Sequence, residues 1–159
     1  MSSERLVQEV VSALNEAGSN STRTHVQKLL FFLEQWSGST GYRFGLHLHG
    51  PYSSSLDRDI MVMEATGKLN REPGFGGYGS RYSTETVEPS DMVRDLANWL
   101  ARKPTRALEA LSTVELFDSP GKDDEVFASV KEVKPHLRED EIWEAIEEVR
   151  EKRAALKGG

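Results

Sequence analysis

The first half of the chain shows two stretches in which apolar residues repeat every three or four positions. The first stretch predicts a helix that Gly18 can end in a left-handed conformation, and its apolar positions are Leu6, Val7, Val10, Val11 and Leu14. Thr22 can cap a second helix, which is apolar nearly all the way round because it carries Val26, Leu29, Leu30, Phe31, Phe32, Leu33 and Trp36. We expect the second helix to lie in the middle of the fold.

Beyond Gly41 the period changes to two. Arg43, Gly45, His47 and His49 alternate with apolar residues, which predicts a half-buried strand whose inward side chains are Tyr42, Phe44, Leu46 and Leu48. Gly50-Pro51 closes this strand. A serine among residues 53–55 can cap a third helix, which ends near Gly67 and has an inner face made of Leu56, Ile60 and Met63.

A glycine-rich segment then separates two strand-like stretches. Residues 73–79 contain four glycines, and Arg81–Val87 is rich in β-branched and aromatic residues, so we expect a hairpin with a long tip. From Ser90 onward the periodicity is helical, with breaks at Pro104, at Ser119-Pro120-Gly121 and at Pro135. These breaks predict about four C-terminal helices.

The predicted fold class is therefore α+β and mostly α. Residues 1–89 form a winged-helix-like part in the order helix, helix, strand, helix, hairpin. Residues 90–157 form a bundle of about four helices packed on it, so that the two parts make one compact unit, and residues 158–159 are a frayed tail.

Composition narrows the functional classes. The chain has 159 residues, 20 of them basic and 26 acidic, and its net charge of −6 opposes general binding to nucleic acid. The absence of cysteine excludes disulfides, thiolate zinc sites and a cysteine nucleophile. No apolar run is long enough to span a membrane, so we expect a cytoplasmic protein without a membrane partner.

The sequence contains few residues that could bind a metal or a cofactor or take part in catalysis. His47 and His49 lie on one face of the predicted strand and could form half of a metal site, but no second pair of ligands follows at a recognisable spacing. The glycine-rich tip lacks the Lys-Ser/Thr of a phosphate-binding loop, and no nucleophile elbow is present. We therefore predict no catalytic residues, no metal and no cofactor, and we expect the protein not to be an enzyme.

Three stretches resemble the YwgA-like and SocA-like proteins that contain the Panacea domain. Val26–Leu33 (VQKLLFFL) resembles their Lys-Leu segment. The corner His49–Ser53 (HGPYS), with the later Gly67-Lys68-Leu69, resembles their Gly-Pro corner and third helix. Leu108–Leu116 and Lys134–Leu137 (KPHL) are similar to their C-terminal helices. The resemblance implies a non-enzymatic module linked to toxin–antitoxin pairs, in which SocA-like members act as antitoxins or protease adaptors through protein contacts.

The first functional hypothesis is a module that regulates or neutralises a partner protein, such as a toxin or a subunit of a complex. Its binding residues would be Tyr52, Arg58, Phe75 and Tyr78, from the Gly-Pro corner, the third helix and the hairpin tip. The alternatives are an accessory subunit of a larger assembly and a winged-helix DNA-binding regulator that uses Arg58, Arg71 and Arg81.

The third helix favours the protein partner over DNA. Its predicted outward positions are Ser54, Asp57, Arg58, Asp59 and Glu64, and one arginine among three acids is a poor reader of the major groove. The apolar helices at both ends of the chain are compatible with a monomer or with a homodimer.

Overall fold

The computed structural model describes residues 3–18, 21–38, 40–48, 50–72, 81–85 and 87–158. Within these residues the chain forms seven α-helices and four short strands. The helices are α1 (Ser3–Glu16), α2 (Arg23–Ser37), α3 (Ser54–Ala65), α4 (Asp91–Leu100), α5 (Thr105–Leu116), α6 (Asp123–Val133) and α7 (Glu139–Gly158). The strands are β1 (Gly45–His47), β2 (Gly50–Tyr52), β3 (Asn70–Glu72) and β4 (Arg81–Ser83). The predicted class, α+β and mostly α, is confirmed.

Contacts along the chain define two compact units. Unit 1 comprises Met1–Gly45 and Tyr52–Lys103, and unit 2 comprises Leu46–Pro51 and Pro104–Gly159. The sequence placed a division at residue 90, whereas the contacts place it after Lys103. The reason is that α4 packs against α1 and α2 through Val93, Leu96 and Leu100.

Helix α2 forms the centre of unit 1, as its apolar sequence predicts. Every residue from His25 to Leu33 is buried, and the helix packs against α1, α3 and α4. Aromatic rings strengthen the packing with α4, because Trp99 makes an edge contact with Phe32 and stacks on Trp36 with ring centroids 5.7 Å apart. The cap is the predicted one, since the Thr22 hydroxyl accepts a hydrogen bond from the His25 N–H at 3.2 Å.

The predicted hairpin is present as the antiparallel pair β3–β4. Asn70 lies opposite Ser83, Arg71 opposite Tyr82 and Glu72 opposite Arg81. Tyr82 is buried, and its backbone N–H donates to the Ser21 carbonyl at 3.0 Å, which attaches the hairpin to the start of α2. The predicted tip, with Phe75 and Tyr78, lies outside the described residues.

Unit 2 is built around helices α5, α6 and α7. Helix α7 packs against α5 and α6, and the buried side chains are Leu108, Leu111, Val114, Val126, Val130, Ile142, Ile146 and Val149. Arg153 joins the end of α5 to α7, because its guanidinium donates to Glu115 at 2.7 Å and to Asp118 at 2.8 Å.

The prediction for residues 42–48 was partly wrong. Tyr42 is buried and Phe44 is half-buried, but the strand is limited to three residues, and Leu46 and Leu48 are 41% and 80% exposed. Gly50-Pro51 does not simply close the strand, because it forms the first two residues of β2.

None of the helices in the described part of the chain combines the length and the apolar character needed to cross a bilayer.

Candidate partner-binding surface

The start of α3 is held by the Ser53 cap and by the buried Gln27 side chain of α2. Gly50 has a φ of 97°, which favours glycine, and the Ser53 hydroxyl caps α3 by accepting from the Leu56 N–H at 3.2 Å. The buried Gln27 side chain donates to the Ser53 carbonyl at 2.8 Å and accepts from the Ser53 N–H at 2.9 Å. This amide therefore pairs with the backbone as a neighbouring strand would. No pattern in the sequence pointed to Gln27.

Tyr52, a predicted binding residue, belongs to an internal polar cluster. Its ring is half-buried, and burial followed by a hydrogen bond to Asp57 raises the pKa of the hydroxyl to about 12. Arg23 lies 3.1 Å from the same Asp57 carboxylate and also donates to the Tyr82 hydroxyl at 2.8 Å. The Tyr52 hydroxyl thus has an internal partner and orients the first turn of α3.

The acidic side chains of α3 do not form its outer face. Asp57 faces Arg23, Asp59 accepts from the Tyr42 hydroxyl at 2.5 Å, and Glu64 lies 2.7 Å from Arg71. All three acidic residues are only partly exposed. The prediction that they are outward residues was wrong, because partners from α2, β3 and the segment before β1 draw them to the sides of the helix.

The outer surface of α3, called the α3 face below, consists of six exposed residues: Ser54, Ser55, Arg58, Met61, Val62 and Ala65. Met61 is 56% exposed and Val62 is 46% exposed, although most large apolar side chains of unit 1 are buried. Arg58 is exposed and meets no carboxylate among the described residues. The α3 face thus combines an apolar centre with one positive charge.

The residues predicted for DNA binding lie in different environments. Arg58 is on the α3 face, Arg71 is exposed on β3 but pairs with Glu64, and Arg81 is half-buried on β4 opposite Glu72. Arg71 therefore has a carboxylate partner within unit 1, which reduces its positive potential toward a phosphate backbone.

Unit 2 has an exposed apolar segment of its own, at residues 46–48. The buried Lys134 ammonium donates to the carbonyl of His47 at 3.0 Å and to that of Leu48. Lys134 also lies 3.4 Å from the buried Glu109, and Glu109 is 2.7 Å from the His136 ring. This network fixes the backbone of the segment, so that Leu46 and Leu48 are presented to solvent.

The histidines do not assemble a metal site within the described residues. His47 is exposed, and His49 lies outside the described part of the chain. Among the residues that the structure describes, no group of three histidine, aspartate or glutamate side chains could hold a metal ion. A cleft beside the start of α6 is lined by Gly121, Lys122, Asp123, Asp124, Glu125 and Arg150, and two of these charged groups pair within it, since Arg150 lies 2.7 Å from Asp123.

Comparison with protein-family models, with curated proteins and with solved structures found no match to this chain.

Proposed function

We propose that the protein is a non-enzymatic cytoplasmic module that binds a partner protein and regulates or neutralises it in the manner of an antitoxin. The α3 face is its docking surface, together with the predicted tip residues Phe75 and Tyr78. The antitoxin character of the proposal comes from the resemblance to YwgA-like and SocA-like proteins.

The observation that carries the proposal is the pair of exposed apolar side chains at the centre of the α3 face. Exposed apolar residues next to an arginine are typical of protein interfaces, where an apolar centre supplies affinity and arginine supplies directed hydrogen bonds. Met61 and Val62 are adjacent to Arg58 on this face, and the corner formed by Gln27 and Ser53 holds the helix in place. Rigid presentation lowers the entropic cost of binding.

The same face is a poor match for DNA. A recognition helix places several donors and acceptors along the major groove, whereas the α3 face offers one arginine, two serines and three apolar side chains. A DNA-binding regulator that uses Arg58, Arg71 and Arg81 is the alternative that the experiment below distinguishes.

The test is affinity purification of the tagged protein from its own cells, with and without nuclease. We expect one protein to co-purify at a constant stoichiometry, to survive nuclease and to be lost with Met61→Asp. Val133→Asp is the matched control, because Val133 is also exposed on a helix, at 36%, but lies in unit 2. Phe75→Ala and Tyr78→Ala test the tip in the same assay.

The captured protein is then expressed alone and together with the module. Toxicity that is relieved by the wild-type module, but not by Met61→Asp, would establish the antitoxin role. A stoichiometric protein that is harmless alone would indicate an accessory subunit. Specific DNA fragments that vanish with nuclease, and that require Arg71 and Arg81, would replace this proposal with the DNA-binding one.

A further inference from the structure

The sulfur atoms of this chain all belong to methionine, since the sequence has four methionines and no cysteine. Three of these methionines lie in the described part of the chain, and their environments differ. Met61 is 56% exposed on α3, Met63 is fully buried two residues later, and Met92 is half-buried on α4. The susceptibility of a thioether to oxidation follows its exposure, so Met61 is the described methionine that an oxidant reaches most easily.

The residues around Met61 on the helix surface leave its side chain open to solvent. Ala65, one turn further along α3, carries only a methyl group, and the adjacent Val62 is itself 46% exposed. Arg58 lies one turn earlier and is also exposed. Met63, by contrast, belongs to the buried face of α3. The helix therefore places an accessible methionine and a protected one only two positions apart.

Peroxide converts a methionine thioether into a sulfoxide in one step. The sulfur forms a bond to one peroxide oxygen as the O–O bond breaks, and the other oxygen leaves as hydroxide, which takes the proton of the transferred oxygen and becomes water. Sulfur is oxidised by two electrons and the peroxide is reduced by two. The sulfoxide is polar, and methionine sulfoxide reductases convert it back to the thioether with a thiol as reductant.

A sulfoxide at Met61 would change the centre of the α3 face. Its oxygen is a hydrogen-bond acceptor, so a partner that covers this residue has to desolvate the oxygen or supply a donor. Arg58, one turn away, can donate to the oxygen, because its guanidinium meets no carboxylate among the described residues. Oxidation thereby makes the apolar centre polar and engages the one basic residue among the six of this face.

We propose that Met61 is a reversible oxidation site, and that peroxide switches off partner binding by converting its thioether to the sulfoxide. This inference rests on the proposed function, since it names a regulation of the same docking surface. Met63 stays reduced because it is buried, so the packing of α3 is retained while the α3 face changes. A partner neutralised by this module is then released when peroxide is present and bound again after a reductase has acted.

The first experiment uses the purified full chain and hydrogen peroxide. Trypsin cuts after Arg58 and Lys68, which leaves Met61 and Met63 on one peptide, and tandem mass spectrometry distinguishes their sulfoxides. We expect the Met61 sulfoxide to form at least about tenfold faster than the Met63 sulfoxide, with an unchanged helical circular dichroism signal while only Met61 is oxidised. Equal rates at the two methionines, or a loss of helix as Met61 reacts, would overturn the proposal.

The second experiment measures binding within one partly oxidised sample. Wild-type protein is treated with hydrogen peroxide until half of Met61 is oxidised, freed of peroxide and offered to a lysate of its own cells. The sulfoxide of Met61 should be depleted about tenfold or more in the partner-bound fraction. Met92 is the internal control, because it lies on α4 and not on the α3 face, and its sulfoxide should divide equally between the two fractions.

Reduction tests whether the switch is reversible. Treating the unbound fraction with methionine sulfoxide reductases for both epimers and a thiol should restore its capture of the partner. Protein that stays unable to bind after Met61 has been fully reduced would overturn the proposal.

Failure of this switch and failure of the proposed function give different results. Partner-bound protein that contains as much Met61 sulfoxide as the unbound protein would overturn the switch and leave the protein-binding function standing. Untreated protein that captures no partner would overturn the proposed function, and the switch with it.

Discussion

Replacing Gln27 with methionine should destabilise the protein more than any other single change at the Gly-Pro corner. Methionine keeps the length and volume of glutamine but has no amide, so both hydrogen bonds to Ser53 are lost. Gln27 and Ser53 are 2% and 1% exposed, which means that water does not take the place of the lost amide.

The two lost bonds have different costs. The Ser53 carbonyl keeps the hydrogen bond from the Asp57 N–H at 3.1 Å, so losing its second donor costs about 0.5–1.5 kcal/mol. The Ser53 N–H has no other acceptor among its described contacts, and a buried donor without a partner costs about 1–3 kcal/mol. Together the two losses should lower the free energy of unfolding by about 1.5–4.5 kcal/mol.

Urea denaturation measures this effect, with amide hydrogen exchange at Ser53 as a local probe. The transition midpoint should fall at an unchanged m value, and protection of the Ser53 amide should decrease more than that of the α2 amides. Gln35→Met is the matched control, because Gln35 lies on the same helix but is exposed, and it should change stability by less than about 0.5 kcal/mol. Equal midpoints for the Gln27→Met and Gln35→Met proteins would refute the reasoning.

Three further predictions concern charged and titratable groups. Lys134→Met should destabilise by about 3 kcal/mol in thermal unfolding, because Glu109 loses its buried counter-charge, whereas the exposed Lys157→Met should be near neutral. Burial lowers the pKa of His25, which lies 2.9 Å from the Lys103 carbonyl, so below about pH 6.5 the unfolded chain binds the proton more readily than the folded one does. Stability should therefore fall as the pH drops through that value, and His25→Gln should flatten the curve there. The hydrogen bond from Arg106, followed by one from the Arg138 N–H, lowers the pKa of Glu141 to about 2. The contribution of Glu141 to folding stability is therefore complete above 4.5, the pKa of this carboxyl in the unfolded chain, and is lost as the pH falls toward 2. Glu141→Gln should remove that loss.

Local signals were sufficient to predict the helices. Thr22 and Ser53 cap α2 and α3 as their sequence context predicts, because capping depends on side chains within three residues. The inner face of α3, with Leu56, Ile60 and Met63, is confirmed for the same reason, since helical periodicity alone determines which residues share a face.

The outer surface of α3 could be predicted only in part. Its acidic residues find partners from distant elements, at Arg23, Tyr42 and Arg71, and the helical period does not reveal such partners. A usable signal was nevertheless present. Met61 and Val62 lie on the opposite side of the helix from Ile60 and Met63. The helical periodicity that identified the core residues of α3 therefore also places two apolar residues in solvent.

The exposed leucines of residues 46–48 show the limit of alternation as a signal. A period of two predicts which side chains share a face, but a face is buried only if another element covers it. The backbone of this segment is instead fixed by Lys134, which lies 86 residues away from Leu48 in the sequence. That partner could not be inferred from the local pattern.

The attachment of His47 and Leu48 to Lys134 has a consequence for how the chain is made. During synthesis, the carbonyls of His47 and Leu48 leave the ribosome long before Lys134, which binds them. This segment therefore cannot form its hydrogen bonds to Lys134 until most of the C-terminal helices have been synthesised. Because the second unit takes a piece from the middle of the first, no single cut separates the two. A protein shortened at Lys103 would keep residues 46–51 without their anchor.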